Sequence, residues 1–194
     1  NAGSLLSTER LALNFIQRLS GTATVTRELV EKCMAINPKV KIAATRKTTP
    51  GLRKWEKDAV EAGGGVRHRE GLYDQYLIKD NHLRIVGSIT EAVSKARAHG
   101  KAGIVEVEVV DVAGADEAAE AGADIIMLDN MPPDMAAGAA ARIREIKKNA
   151  VVEVSGGINP DNIQQYAGFA DVISLGWLTH SVRARDFSLE IVEI

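Results

Sequence analysis

The sequence predicts an α/β protein: an incomplete (β/α) TIM-like barrel with parallel strands, preceded by two helices. Strand and helix signals alternate, the strands are short and very apolar, and reactive or glycine-rich residues follow each strand at once. Such strands, separated by helices, are typical of a parallel sheet covered by helices. A doubly wound sheet also fits the alternation, but it would gather the polar segments at one switch point. A barrel brings all of them to one face, so we predict the barrel.

The first 36 residues predict the two leading helices. Apolar residues from Leu5 to Leu19 are spaced for one side of a helix that Gly21 ends, and a second helix follows around 27–36. Residues 37–194 then form a single barrel domain.

Within the barrel, short apolar runs predict six strands and the segments between them predict helices. The predicted strands are 40–44, 76–78, 104–109, 125–128, 151–154 and 172–174. The predicted helices are 52–62, 88–99, 113–121, 134–148 and 160–167. The helix 88–99 has the clearest ends, because Ser88 and Glu91 have capping-box spacing and Gly100 suits the carboxyl-terminal cap.

Composition excludes several classes of protein. With 194 residues, 45% of them apolar, the chain can bury one substantial core. A net charge of −2 argues against a nucleic-acid binder that works by bulk electrostatics, so any anion site is local. Cys33 is the only cysteine, which excludes an internal disulfide and fits a reducing, cytoplasmic compartment. No apolar run is long enough to span a membrane, so we expect no membrane partner.

The segment 45–51 predicts a polyanion site. Arg46 and Lys47 lie among hydroxyl residues on a turn directly after a buried strand, and Pro50 and Gly51 break the chain before the next helix. Adjacent basic residues are usually solvated at the protein surface. Here the Thr-Thr-Pro-Gly sequence restricts the backbone, which a flexible surface loop would not require. We therefore favour a site at the strand end.

Acidic residues predict a metal site. Glu106 and Glu108 alternate with valines, so both lie on one side of strand 104–109. They face either the barrel interior or solvent at a sheet edge, and alternation alone does not decide. Asp129, directly after a buried strand, favours the site: with Glu108 it would hold magnesium through oxygen ligands and water.

Glycine-rich and basic segments predict anion-binding sites. Ser155, Gly156 and Gly157 follow strand 151–154, where backbone amides and the hydroxyl can bind a phosphate, and Gly176 would lie beside them. An ordinary turn is the alternative.

A second basic segment lies in the loop after the helix 52–62. His68 and Arg69 follow three glycines, and with Lys79 and the 45–51 segment they predict a cationic pocket for a small, highly charged anion. His82, His99 and His180 are structural or unassigned.

The motifs together resemble a known family. They are 9–14 (ERLALN), 19–24 (LSGTAT), 45–51 (TRKTTPG), 63–65 (GGG) with 68–69 (HR), 78–82 (IKDNH), 128–131 (LDNM) and 153–158 (EVSGGI). In this order they resemble quinolinate phosphoribosyltransferase, also called nicotinate-nucleotide pyrophosphorylase (carboxylating), over essentially the whole chain.

The resemblance implies that quinolinate and phosphoribosyl pyrophosphate react, with magnesium, to give nicotinate mononucleotide, pyrophosphate and carbon dioxide, a step of NAD biosynthesis. It implies an incomplete β/α barrel preceded by a separate amino-terminal domain, in a homodimer or a dimer-based higher oligomer. In that dimer, the amino-terminal domain covers the partner's active site.

The resemblance also implies a role for each matching residue. Around the carboxylates of quinolinate it places Arg46, His68, Arg69 and Lys79. For phosphoribosyl pyrophosphate and its magnesium it places Lys47, Glu108 and Asp129, with Glu108 and Asp129 as metal ligands. At the 5′-phosphate it places Ser155, Gly156, Gly157 and Gly176.

This chain departs from the family pattern in three respects. It begins close to the first helix of the barrel, without the amino-terminal domain. Arg67 stands where the family often has asparagine, and Trp177 where a small residue usually follows the loop glycine. The alternatives are another barrel enzyme, such as the relative associated with molybdenum transport or an aldolase with a Schiff base on Lys79, or a truncated barrel that binds ligand without catalysis.

Overall fold

The computed structural model describes residues 1–100 and 103–192, and within them the chain forms six strands and eight helices. The predicted barrel range 37–194 includes four residues, 101–102 and 193–194, that lie outside the described residues. The strands are β1 (Lys41–Ala44), β2 (Tyr76–Ile78), β3 (Val105–Val109), β4 (Ile125–Asp129), β5 (Val151–Ser155) and β6 (Val172–Leu175). The helices are α1 (Ala2–Met34), α2 (Arg53–Ala62), α3 (Asp80–Val86), α4 (Ile89–His99), α5 (Val112–Glu120), α6 (Pro133–Ile146), α7 (Gln164–Ala167) and α8 (Trp177–His180).

The strands form one parallel sheet in the order β1-β6-β5-β4-β3-β2. Among the residues that the structure describes, the edge strands β1 and β2 do not pair with each other, and β1 forms only an isolated bridge from Ala43 to Val66, a residue that precedes β2. Residues at both edges, Arg46 after β1 and Leu77 in β2, nevertheless line the same cavity. The sheet is therefore curled, which confirms the predicted incomplete barrel.

The core lies between the sheet and the helices that cover it. Val105, Val107 and Val109 of β3 are buried and belong to one apolar cluster with alanines of α5 and α6, such as Ala118 and Ala139. Small side chains on the helices let them pack close to the sheet. Within the described residues, no helix is both long and apolar enough to cross a membrane.

The predicted break between two leading helices was wrong, because α1 runs without interruption from Ala2 to Met34. Gly21 is buried in the middle of this helix, and a Cβ built there would lie 2.3 Å from the carbonyl oxygen of Arg183. The glycine therefore permits a close approach of the carboxyl-terminal segment rather than ending the helix.

Most other predicted elements are confirmed to within a few residues. In α4 the Ser88 hydroxyl accepts a hydrogen bond from the Glu91 amide at 3.1 Å, and Gly100 has a left-handed φ of +71°. Helix α7 covers only the last part of the predicted 160–167. Two short helices, α3 and α8, were not predicted; each starts directly after a strand, where the sequence indicates site residues rather than helix.

Candidate active site

Two adjoining cavities, of about 320 and 310 Å³, open at the carboxyl ends of the strands. The predicted site residues that line the first are Arg46, Lys47, His68, Arg69, Lys79, Glu108, Asp129 and Ser155. Those that line the second are Lys47, Ser155, Gly156, Gly157 and Gly176. Every predicted site residue therefore lies at one or both cavities, and Lys47 and Ser155 join them.

The first cavity is lined by four cations, Arg46, Lys47, Arg69 and Lys79, of which only Lys79 forms an ion pair among the residues that the structure describes. Arg46 Nε is buried, and no hydrogen-bond partner for it lies among the residues that the structure describes. Burial lowers the pKa of Arg69, and the positive charge of Arg46 lowers it further. Two guanidinium groups that repel each other beside an open cavity indicate a binding site for an anion, most suitably a carboxylate.

Lys79 and the acidic residues balance part of this charge. The Lys79 ammonium contacts a Glu108 carboxylate oxygen, and Asn130 Nδ2 donates to Asp129 Oδ2 at 2.6 Å. A Schiff base needs a lysine Nζ that is free to attack a carbonyl carbon, whereas this Nζ is occupied by a carboxylate contact. The contact therefore argues against a Schiff-base role for Lys79.

Strand β3 lies inside the sheet, between β2 and β4, which excludes the alternative that its glutamates belong to an edge strand. Glu106 is fully buried and accepts a hydrogen bond from Gln75. Burial, and then the negative charge of Glu153, raise the pKa of Glu106 to about 8. Glu108 is partly exposed and lines the cavity, where its carboxylate contacts Lys79.

A buried chain of hydrogen bonds orients His68. Ser174 Oγ donates to Glu153 Oε1 at 2.6 Å, and Glu153 Oε2 lies 2.9 Å from His68 Nε2. His68 Nδ1 accepts from the Arg69 amide at 2.8 Å. Burial opposes protonation of His68, but the hydrogen bond and charge of Glu153, with the charge of Glu106, raise its pKa above the ordinary value. Sequence reasoning missed Glu153 and Ser174 as site residues, because both stand inside apolar strands.

Two groups of side chains offer metal ligands. His68 Nε2 and carboxylate oxygens of Glu106 and Glu153 all lie within 4.8 Å of one another. Because His68 Nδ1 accepts a hydrogen bond, the imidazole carries its proton on Nε2, and a protonated nitrogen cannot coordinate a metal. Glu108 and Asp129 offer carboxylate oxygens beside the open cavity, the ligands that magnesium prefers, and so fit the predicted ion.

Three glycines, Gly156, Gly157 and Gly176, help to line the second cavity. Gly156 and Gly157 have φ angles of +85° and +62°, and a Cβ at position 156 would lie 2.5 Å from the side chain of Asn130. A Cβ at Gly176 would lie 2.9 Å from His180 Nε2 and 3.0 Å from Lys47 Cδ. The missing side chains let Asn130, His180 and Lys47 pack closely against the loop backbone, and glycine loops of this kind are typical of phosphate sites.

The structure also places the residues that depart from the family pattern. Arg67 is paired with Asp58, Glu61 and Glu70 on the outer side of its loop and does not line the first cavity. Trp177 lines the second cavity.

The three histidines left unassigned differ in their surroundings. His82 Nδ1 accepts from the Lys79 amide at the start of α3, and His99 packs edge-on against Tyr76. Both are structural. His180 lines the second cavity, although its sequence neighbours carried no signal of a site.

Comparisons with known proteins show the family of this chain. Residues 22–190 match the family described as "Quinolinate phosphoribosyl transferase, C-terminal domain". The chain is 49% identical over 193 residues to a probable nicotinate-nucleotide pyrophosphorylase [carboxylating] of Archaeoglobus fulgidus, covering 98% of this chain and 74% of that protein. The protein of the same description in Bacillus subtilis is 50% identical, and the match covers 98% of this chain and 65% of that protein.

A solved structure, that of NadC from Streptococcus pyogenes, superposes with a TM-score of 0.88 at 45% identity, covering 96% of this chain and 65% of that one. The chain thus spans about two thirds to three quarters of the length of these relatives. The match in sequence and fold covers nearly all of this chain, and the chain belongs to the quinolinate phosphoribosyl transferase family, to the part described as its C-terminal domain.

Proposed function

We propose that this chain is the catalytic barrel of a carboxylating nicotinate-nucleotide pyrophosphorylase. In the proposed reaction quinolinate and phosphoribosyl pyrophosphate give nicotinate mononucleotide, pyrophosphate and carbon dioxide. The observation that carries the proposal is the pair of cavities: a cationic one suited to a dicarboxylate adjoins a glycine-lined one suited to a phosphate, and Lys47 and Ser155 line both. The similarity to probable carboxylating nicotinate-nucleotide pyrophosphorylases of Archaeoglobus fulgidus and Bacillus subtilis supports it.

Quinolinate would occupy the cationic cavity. Arg46 and Arg69 bind its carboxylates, because a guanidinium forms two parallel hydrogen bonds with a carboxylate, and Lys79 adds a third cation. His68 lies at the wall of this cavity with both ring nitrogens already engaged by Glu153 and the Arg69 amide. Its contribution is therefore the shape of the wall and the orientation of Arg69.

Phosphoribosyl pyrophosphate would lie across both cavities. Its 5′-phosphate binds at the second, at Ser155 and the amides near Gly156, Gly157 and Gly176, while Lys47 reaches the pyrophosphate. Glu108 and Asp129 would hold magnesium, which when bound supplies positive charge to the pyrophosphate oxygens.

The proposed chemistry needs positioning and charge rather than a covalent nucleophile. The pyridine nitrogen of quinolinate bonds to the anomeric carbon of the ribose as the bond from that carbon to pyrophosphate breaks. Lys47 stabilises the negative charge that accumulates on the leaving group. The positively charged ring nitrogen then accepts the electron pair released when the adjacent carboxylate leaves as carbon dioxide, and a proton takes its place on the ring carbon.

Several wider properties belong to the same proposal. We propose a cytoplasmic location and a homodimer or dimer-based assembly, in which a second domain contributes to the site. Apolar side chains on the first half of α1, including Leu6 and Leu11, are 59% and 63% exposed and offer a surface for such an association.

Pyrophosphate release tests the proposed function. With magnesium, phosphoribosyl pyrophosphate and quinolinate, the purified chain should release pyrophosphate, and Lys47→Ala should reduce the rate by about 100-fold because a charge-stabilising donor is lost. Lys95→Ala, which removes an exposed lysine of α4, is the matched control and should retain the rate. Release with nicotinate instead of quinolinate would contradict the substrate assignment. Binding of both ligands without release would indicate a ligand-binding barrel.

A further inference from the structure

Helix α2 buries two adjacent residues of opposite charge. Glu56 and Lys57 are both fully buried, and their charged groups do not contact each other among the described ion pairs. A charged group loses much of its solvation on burial unless hydrogen bonds replace the water, so such residues are rare in the interior of a protein. The hydrogen-bond partners of Glu56 and Lys57 show which loop each residue holds in place.

Glu56 holds the loop that follows β1. Its Oε2 accepts from the Thr49 amide at 3.0 Å, and its Oε1 accepts from the Thr49 hydroxyl at 2.8 Å. Thr49 lies two residues after Lys47 in the loop that also carries Arg46. One carboxylate therefore fixes both a backbone and a side-chain group of this cationic loop.

The same network also reaches the Lys47 backbone from the other side. Arg18 of α1 donates to Glu56 Oε1 at 3.0 Å and to the Thr179 carbonyl. The Thr179 hydroxyl in turn donates to the Lys47 carbonyl at 2.6 Å. The loop is thus held between α2 and α8, with Arg18 joining the two helices.

Lys57 holds the second cationic loop. Its Nζ donates to the carbonyl oxygens of Arg67 and Arg69, each at 2.5 Å. These two carbonyls bracket His68, whose φ of +54° lies in the left-handed region that non-glycine residues seldom adopt. An ammonium group that holds both neighbours keeps His68 in this conformation and aims Arg69 at the cavity.

Resting on the function proposed above, we propose that Glu56 and Lys57 are positioning residues that set the two cationic loops of the active site independently. Lys57 sets the His68–Arg69 loop and thereby the affinity for quinolinate. Glu56 sets the loop of Arg46 and Lys47, and its effect falls more strongly on phosphoribosyl pyrophosphate. Two neighbouring positions on one helix thus hold two different loops of the site.

The test of the Lys57 arm compares two lysines of the same chemistry. Lys147 Nζ also donates to two backbone carbonyls, those of Gly122 and Ala123 at 2.7 Å each, but in the loop that precedes β4, at the opposite end of the strands from the cavities. Each lysine is replaced by methionine, which keeps the length of the side chain and removes the donors. Calorimetry then measures the affinity for quinolinate and for phosphoribosyl pyrophosphate, and hydrogen exchange measures the amides of residues 66–70.

In Lys57→Met we expect quinolinate affinity to fall by roughly tenfold to a hundredfold, because small displacements of positioning groups cost this much. Affinity for phosphoribosyl pyrophosphate should change much less, and the amides of 66–70 should exchange faster. Lys147→Met should leave both affinities unchanged. Equal losses for the two ligands, or unchanged exchange in Lys57→Met, would overturn the proposal.

The Glu56 arm is tested at Thr49, which is exposed and tolerates substitution without risk to the core. Thr49→Val removes the hydroxyl that donates to Glu56, and Thr49→Ser retains it. We expect the valine variant to weaken phosphoribosyl pyrophosphate binding more than quinolinate binding, and the serine variant to restore it. If Lys57→Met does not fold, this pair still decides whether Glu56 positions the loop of Arg46 and Lys47, and equal affinities in both variants would refute that role.

The experiment separates this inference from the proposed function. If the unmodified chain binds no quinolinate, the proposed function fails, whereas the exchange measurement still reports whether Lys57 holds its loop. If the chain binds quinolinate and Lys57→Met binds it equally well, the function stands and the positioning role of Lys57 is refuted.

Discussion

Gly156 is a residue at which backbone conformation and packing both exclude a side chain. Its φ is +85°, and a Cβ there would lie 2.5 Å from the Asn130 side chain and 2.7 Å from the Asn130 backbone nitrogen. Gly122 has nearly the same φ, +84°, but nothing lies within 4 Å of a Cβ built on it. The two glycines therefore separate the cost of a left-handed backbone from the cost of a collision.

We expect Gly122→Ala to lower the free energy of unfolding by about 1 kcal/mol, because only the backbone conformation is strained. Gly156→Ala should lower it by about 1–3 kcal/mol more, because the Asn130 backbone must also move. Urea unfolding of both variants measures the difference. Equal losses would show that the second cavity adapts its backbone without cost.

The site residues illustrate what sequence reveals at the scale of single residues. Arg46, Lys79 and Asp129 could be predicted because each stands at or just after the carboxyl end of an apolar strand, where a parallel barrel exposes its residues. Glu153 could not, because it stands inside β5, and its partner His68 is 85 residues away in sequence. Its role depends on a contact that only the closed fold creates.

At the scale of elements, α1 shows how tertiary contact overrides a local signal. Gly21 predicts a helix end, but the helix continues through it. The carboxyl-terminal segment packs against the helix where Gly21 lacks a side chain. Gly138 in α6 is the opposite case, because it is exposed and nothing lies within 4 Å of a Cβ built there. Glycine thus permits a close packing contact in α1, whereas in α6 it permits none.

We expect Gly138→Ala to raise the free energy of unfolding by roughly 0.5–1 kcal/mol, since alanine favours a helix interior over glycine by this amount. Gly21→Ala should lower the free energy of unfolding in spite of the same helical gain, because its methyl group would collide with the Arg183 carbonyl. Thermal or urea unfolding measures both signs. A stabilised Gly21→Ala protein would mean that the segment around Arg183 is free to detach from α1.

At the scale of the whole molecule, the reactivity of Cys33 reports whether α1 and the barrel unfold in a single step. This thiol is fully buried in the main apolar cluster. Burial raises its pKa from 9.0 to about 11, and the nearby Lys32 opposes this only partly. The folded protein therefore holds the thiol proton more tightly than the unfolded chain, so this group stabilises the fold fully below pH 9 and loses that contribution as the pH rises toward 11.

We expect the native protein to react with a thiol reagent at pH 8 only as fast as it unfolds, and denatured protein to react at once. The rate of Cys33 modification, measured against urea concentration, should follow the loss of helical circular dichroism. Modification that is rapid without urea would show that α1 separates from the barrel while the sheet remains folded.

The sequence by itself determined the parallel strands, the curled sheet and the identity of the cationic and glycine-rich loops, because these depend on local periodicity and on which residues follow each strand. Only the tertiary structure decided that α1 is continuous, that Glu106 is buried while Glu108 meets the cavity, and that Glu56 and Lys57 hold two different loops. Each of these depends on contacts between residues far apart in sequence, such as Arg18 with Glu56 and Gly21 with Arg183. Local sequence patterns do not reveal such contacts, because residues that are distant in sequence become neighbours only when the chain folds and its interior packs closely.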